Sequence, residues 1–255
     1  MDQKVVKGNQ SNKALKGVSL FKTEKEDLEK DLRDAIRIKQ VDCFMQRFYR
    51  RLHKAVKHFQ KKQSPHVQCQ RNCDWCCYLQ ASATAPEIFY LAHIIRQISS
   101  ALMVREIMDK LSASALLSVN TNAAEHHNNN IPCGLLDNGV CMAYMARPLA
   151  CLLQHSTDAS ICQRDFEQPD RFFETHISDE SFSMFGSVVI GCFNHVLSDR
   201  GLSTKCYELN QALLQALRNP TLERIWFEGG EPFLKVTSIK QGNDECKITN
   251  NVLWP

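Results

Sequence analysis

Apolar residues recur at helical intervals along most of the chain. Leu28, Leu32, Ile36, Val41, Met45, Phe48, Leu52, Val56 and Phe59 fall mostly three or four positions apart, which places them on one side of an α-helix. They predict a long amphipathic helix ending near Lys62 and broken near Gln40, with Thr23-Glu24-Lys25-Glu26 as a capping box at its start. The other face carries Arg47, Arg50, Arg51, Lys54, Lys57, Lys61 and Lys62. It reads as a solvated surface in preference to a site for an anionic partner. Ser64-Pro65 stops this helix. Pro86 suits the first turn of the next, which runs through Ile88, Leu91, Ile94, Ile95 and Ile98. A third pattern covers Leu102 to Leu117, and Asn120 to Asn130 reads as a polar linker with His126 and His127 solvated. Helices follow from Asp179 to Asp199, stopped by Gly201, from Cys206 to Arg218, and from Leu222 to Phe227; Val236–Ile239 reads as a short strand. Strands do not alternate with helices, which excludes a parallel α/β sheet and predicts a mainly α fold.

One region breaks the periodicity. Residues 132–170 are rich in Cys, Pro, Gly and Asp and show no sustained period. The chain therefore divides into a flexible tail (1–22), an amphipathic helical region (23–64), a cysteine-rich region (65–165) and a C-terminal helical region (166–255), packed as one compact domain. Hydrophobic residues make up 44% and charged residues 23%, the balance of a globular protein. A net charge of +3 gives no reason to expect nucleic acid as a dominant partner. The first twenty residues lack the apolar run of a signal peptide, and SVVIGCFNHVL is short and interrupted by Asn194 and His195. No membrane partner is expected, and the expected location is cytoplasmic. In that compartment thiols stay reduced, so clustered cysteines point to metal or redox chemistry before disulfides.

The chain has twelve cysteines. Four stand in the nine residues CQRNCDWCC, at Cys69, Cys73, Cys76 and Cys77, and Cys73-x2-Cys76 has the spacing of a zinc knuckle. The same positions are i, i+4, i+7 and i+8, the spacing of a buried helix face. On one regular helix Cys69 and Cys76 would lie about 10 Å apart, too far to share an ion. Either the segment is a loop or turn, or distant cysteines complete the shell. Cys133, Cys141, Cys151 and Cys162 follow, separated by 8, 10 and 11 residues with Gly134, Asp137, Asn138, Gly139 and Pro148 between them, spacings that no helix face explains. Eight thiols in two bursts fit metal better than packing, as two four-thiolate sites or as one cluster with spares. Arg71, Arg147 and Arg164 lie beside them in sequence and could offset thiolate charge. Cys43, Cys192, Cys206 and Cys246 are isolated. The first three of these lie on helical patterns and read as core or surface thiols.

CQRNCDWCC, followed by an Ala-Pro-Glu-Ile helix and then CGLLDNGVCMAYMARPLAC, resembles the YkgJ-like family of zinc- or iron-chelating cysteine-cluster (CxxCxxCC) proteins. The resemblance covers roughly residues 66–165. It assigns metal ligation to Cys69, Cys73, Cys76, Cys77, Cys133, Cys141 and Cys151, with Tyr144, Arg147 and Pro148 as motif residues. HSTDASIC, ending at Cys162, is similar to some longer members. One departure is Leu152, where the family often has arginine.

A rival reading joins Cys69-x3-Cys73-x2-Cys76, with Trp75 before the third cysteine, to Gly229-Gly230-Glu231-Pro232. These resemble the cluster motif and the GGEP motif of radical S-adenosylmethionine enzymes. GGEP follows the cluster by over 150 residues, however, and the barrel of such enzymes needs strands alternating with helices. Gly229-Gly230 reads more simply as a helix stop. No nucleophile, phosphate-binding glycine loop or HExxH supports another catalysis; His155 is at most an alternative ligand or an outer hydrogen-bond donor, and His66 is a poorer one. The expectation is a mainly α fold whose helices pack around a cysteine-rich, loop-built metal centre. Its ligands are the eight cysteines at 69, 73, 76, 77, 133, 141, 151 and 162, its cofactor is zinc or iron (an iron–sulfur cluster included), and no residue is assigned to catalysis. A structural metal leads, with an iron–sulfur redox protein and a metal-handling protein as the alternatives.

Overall fold

A computed structural model describes residues 23–62, 67–69, 72–169 and 180–236. The expected N-terminal tail, Arg71, His66, Cys246 and most of the expected strand at 236–239 lie outside these residues. Ten α-helices account for most of the described chain, and the strands form two antiparallel pairs. The mainly α expectation therefore holds.

Helix α1 (23–38) ends at Lys39, whose φ is 53°. After Gln40 and Val41 the chain re-enters a helix as α2 (Asp42–Lys62), so the predicted break falls at the predicted place. Leu28 and Leu32 on α1 and Phe44, Met45, Phe48 and Leu52 on α2 are buried in one contiguous apolar core. The basic face of α2 is not wholly solvated. Asp31 on α1 is buried and accepts a hydrogen bond from Arg47 and another from Arg51, each at 2.8 Å. Arg51 also reaches Glu24 at 3.1 Å. These charges join α1 to α2.

Two short strand–helix units form the centre of the fold. Strand β1 (Ser82–Thr84) runs straight into α3 (Ala85–Ile98), where Pro86 occupies the first turn. Strand β4 (Cys206–Glu208) runs into α9 (Leu209–Arg218) in the same way. The strands pair antiparallel, with Ser82 opposite Glu208, Ala83 opposite Tyr207 and Thr84 opposite Cys206. The helix predicted over Cys206–Arg218 is thus shortened, because its first three residues take a partner strand that local propensity does not reveal. Cys206 is also disulfide-bonded, which corrects its expected role as a free thiol on a helix. Helix α4 (Ala101–Ser118) packs on α9. The expected linker after it contains α5 (Ala123–Asn128), capped by Asn122 and Glu125. His126 on α5 is buried, and its ring pKa is pushed down to about 4, chiefly by burial; it is not the solvated histidine the sequence suggested.

Ahead of β4 in the chain, α6 (Leu149–Leu153), α7 (Ala159–Glu167) and α8 (Glu180–Ser198) follow in order. Phe193 on α8 stacks on Phe48 and Phe44, with ring centroids 4.9 and 5.9 Å apart. SVVIGCFNHVL, read as too short to span a bilayer, is part of the longer α8, which meets the length and composition of a membrane span but is mostly buried within the protein. Gly201, at φ 69°, supplies its stop. Helix α10 (Leu222–Phe227) is the last helix among the described residues. Gly229, at φ 77°, and Gly230 turn back to donate to the carbonyls of Trp226 and Ile225, so GGEP begins as the end of a helix. Glu231 there is held by Lys205 and Tyr207.

The break between α1 and α2 is fastened by α10. Glu223 accepts the Val41 N–H at 2.7 Å, and Lys39 reaches Glu228 at 2.6 Å. His93 on α3 sits between Asp42 and Glu223, 3.0 Å from the latter. Burial alone would lower its pKa, but the hydrogen bonds to Asp42 and Glu223 outweigh it and raise the ring to about 9. Because this folded value exceeds the unfolded 6.5, the stability it adds is complete below about pH 6.5 and is lost as pH rises through about 9. Urea midpoints of the wild type and His93→Gln should therefore differ most near pH 6 and converge by pH 10.

Candidate metal centre

The CQRNCDWCC segment is not one helix. Asn72 has a left-handed backbone at φ 70°, and only Trp75–Tyr78 form a single 3-10 turn. Cys77 N–H donates to Asp74 at 2.7 Å and Leu79 N–H to Cys76 at 3.3 Å, closing that turn. Cys69 and Cys73 lie outside it, so the helix-face reading does not apply.

The second cysteine region is built from short turns. Cys133 precedes a hairpin of β2 (Leu136–Asp137) and β3 (Val140–Cys141). Its loop residues Asn138 and Gly139 both have positive φ, 48° and 77°, as a two-residue hairpin loop with matching twist requires. Cys141 ends β3. A 3-10 turn, Tyr144–Ala146, leads through Arg147 and Pro148 into α6, which carries Cys151. Cys162 lies on α7, which Asp158 caps by accepting the Ser160 N–H.

Three sets of contacts join the two regions. Cys133 N–H donates to the Cys77 carbonyl at 2.8 Å. Gln68 N–H donates to the Ser156 carbonyl at 2.9 Å, and Ser156 N–H returns a hydrogen bond to the Cys69 sulfur at 3.2 Å. The Gln68 side chain also accepts the Ala159 N–H at the start of α7. Finally, Phe166 on α7 packs against Tyr78 and Trp75, with centroids 4.6 and 5.2 Å apart.

The thiols lie close enough to act on one another. Burial pushes the Cys69 thiol up to about 11, against the Ser156 hydrogen bond, and Cys73, Cys76 and Cys162 add to the rise. Cys76 is raised first by its hydrogen bond with Cys77 and then by burial, with Cys162 adding and Arg147 opposing. Both are exposed as whole residues, yet their sulfurs are crowded by neighbours. Burial likewise raises Cys133, Cys141 and Cys151. Cys133 also feels Cys151 and Cys141; Cys151 feels Cys76 and Cys141; and Cys141 feels Cys76. Cys76 is thus the junction between the first region and the hairpin side of the second. None of the eight cysteines is in a disulfide. Backbone N–H groups of Leu135 and Ala143 donate to Cys133 and Cys141, two residues after each, as Ser156 does to Cys69. Among the described residues, no three His, Cys, Asp or Glu side chains already stand as a coordinating group.

Arg147 lies among these thiols. Its guanidinium stacks 4.0 Å over the Tyr144 ring; it lowers Cys141 and Cys151 against the dominant burial, and Cys76 against the Cys77 hydrogen bond and burial. Its carbonyl accepts the buried Tyr49 hydroxyl at 3.0 Å. Its Nε is buried and has no acceptor among the described residues. Arg164 instead turns to the Ser160 carbonyl of its own helix at 3.4 Å. His155 is buried, 3.2 Å from the Leu153 carbonyl and edge-on to Phe182, and so is engaged in packing.

Several residues behind the thiols were not anticipated. Glu87 and Glu208, at the junctions of the two strand–helix units, are buried carboxylates. Burial raises both, and the hydrogen bonds they accept oppose it. Thr84-x-x-Glu87 after a short strand carries a capping-box signal; nothing comparable marks Glu208 or Asn210. Gly134 is required by space, since a Cβ there would lie 2.7 Å from the Leu111 Cα on α4. The chain matches no protein-family model, and no curated protein and no solved structure is significantly similar to it.

Proposed function

We propose that this protein binds zinc or iron through Cys69, Cys73, Cys76, Cys77, Cys133, Cys141, Cys151 and Cys162, with the metal in a structural role. The observation that carries the reading is the approach of thiols from two distant segments to Arg147, which acts on Cys76, Cys141 and Cys151 and whose buried Nε has no acceptor among the described residues. A buried donor without a partner is costly. A neutral thiol is a weak acceptor, whereas a metal-bound thiolate is anionic and suits an arginine donor. An all-sulfur donor set suits zinc and iron. The resemblance of the cysteine motifs to the YkgJ-like family supports the same ligands. Because no coordinating group is preassembled among the described residues, thiol side chains would turn about their Cα–Cβ bonds and lose protons as the shell forms. When bound, the metal supplies a crosslink between loops that are otherwise joined by a few hydrogen bonds.

Anaerobic purification followed by elemental analysis and visible absorption tests this. Colourless protein containing zinc, with apparent affinity rising with pH as protons are displaced, is the expected result. Brown protein with acid-labile sulfide would favour an iron–sulfur redox centre held by the same cysteines. Weak binding that exchanges with a chelator within minutes would favour metal handling. Folded, metal-free protein with all eight thiols reactive would overturn the proposal.

A further inference from the structure

We propose that Glu87 and Asn210 are positioning residues of the thiol centre: Glu87 fixes the backbone that carries Cys151, and Asn210, oriented by Glu208, fixes the backbone that carries Cys133. The inference rests on the metal-centre reading for its purpose, although the hydrogen bonds stand apart from it.

The two strand–helix units, β1–α3 and β4–α9, each have a carboxylate at the junction, and these are 2% and 0% exposed. A helix start needs only a neutral serine or asparagine cap, and burying a carboxylate is costly unless it is well paired. What a carboxylate adds is a second oxygen that can leave its own helix. Glu87 Oε2 accepts the Thr84 N–H at 2.9 Å and the Thr84 hydroxyl. Its Oε1 accepts the Leu149 N–H at 2.7 Å. Leu149 begins α6, two residues before Cys151.

Glu208 acts through one more side chain. Its Oε2 accepts the Gln211 N–H at 2.8 Å, and its Oε1 accepts both the Asn210 backbone N–H and Nδ2, the latter at 2.8 Å. An ionised carboxylate can only accept, so Asn210 must present its amino group to Glu208. That leaves Oδ1 facing the Gly134 N–H, which it accepts at 2.9 Å. Gly134 follows Cys133 and is wedged against Leu111. Cys133 in turn donates its N–H to Cys77, which brings the first region into the same frame. The first turns of α3 and α9 therefore project two acceptors, one to each of two cysteine-bearing turns.

The test uses the full chain, stripped with a chelator under reducing conditions. Alkylation by iodoacetamide is followed at each cysteine by mass spectrometry for the wild type, Asn210→Leu, Glu87→Leu, Glu87→Gln and Glu223→Gln. The last removes a buried carboxylate on α10 that accepts the Val41 N–H at the α1–α2 break, and serves as a matched control. Asn210→Leu should speed alkylation of Cys133, and Glu87→Leu that of Cys151, by about tenfold, the effect of one buried donor left without an acceptor. Cys69 and Cys162 should change by less than about twofold on the same scale. Glu87→Gln keeps an acceptor for Leu149 and should restore most of the Cys151 protection, and the control should show no selective change. Uniform acceleration of all cysteines, or none at Cys133 and Cys151, would overturn the inference. Zinc affinity measured on the same proteins by chelator competition should fall about 10- to 100-fold in the two leucine variants. If the wild type takes up no metal but the selective alkylation appears, the metal reading fails and the positioning of the turns stands. If both leucine variants bind zinc as tightly as the wild type, the positioning fails and the metal reading stands.

Discussion

Removing the metal is expected to loosen residues 72–81 and 132–167 while the helices behind them stay protected. The reason is where the apolar core lies. Leu28, Leu32, Phe44, Phe48, Ile88, Leu91, Phe193, Leu213 and Trp226 are all buried and sit on α1, α2, α3, α8, α9 and α10. Residues 132–167 add a smaller share to this core, through Leu135, Ala143, Ala146, Leu149, Leu152 and Leu153. The cysteine segments are short turns, a two-residue hairpin pair and helices of five and nine residues. Helices that short are marginal by themselves. A ligand held at a thousand times its dissociation constant contributes about 4 kcal/mol, so amide protection in these segments should fall about a thousandfold on chelation. Hydrogen exchange with and without a chelator measures it. Unchanged protection across the cysteine segments would show that the metal does not hold them.

The largest effect of a single substitution is expected at Gly134. A Cβ on this residue would lie 2.7 Å from the Leu111 Cα, 2.8 Å from its backbone nitrogen and 2.9 Å from its side chain. Two of these atoms belong to the backbone of α4, so no rotamer change relieves the clash. Either α4 moves, which strains its packing on α9, or the Cys133 turn moves and loses the hydrogen bonds at Asn210 and Cys77. Overpacking of this kind costs about 3 kcal/mol, or roughly 6–12 °C in melting temperature for a chain of this size. Gly134→Ala should also weaken metal binding. Gly191→Ala is the contrast. It lies on the exposed face of α8 with nothing within 4 Å of its added Cβ. There the helix gains roughly 0.5–1 kcal/mol from alanine, so the two variants should shift thermal melts in opposite directions.

The parts of the fold governed by local pattern were legible in the sequence. The break near Gln40, the start of α3 at Pro86, the stop at Gly201 and the short helix at Leu222–Phe227 follow from apolar spacing and from residues that fix a turn. The parts set by distant partners were not. Cys206–Glu208 continues an apolar helical pattern, and it becomes a strand because Ser82–Thr84 lies beside it. Arg47 and Arg51 look like surface charges until α1 folds back and buries Asp31 between them. His126 looks like a loop residue until Asn122 and Glu125 cap a turn around it. For the candidate site, the eight cysteines could be picked out by number and spacing. The contacts of Glu87, Asn210 and Gly134 with the cysteine turns depend on pairings 62 and 76 residues apart and on the approach of α4. No sequence window contains them.

The joint centre is tested most directly by native mass spectrometry of the full chain beside Cys76→Ser and Cys151→Ser, one variant from each cysteine region. The account predicts bound zinc or iron in the wild type and loss of metal in both variants, because thiolates from the two regions share one centre. A wild-type chain that carries no metal, or metal retained in full by either variant, would contradict it.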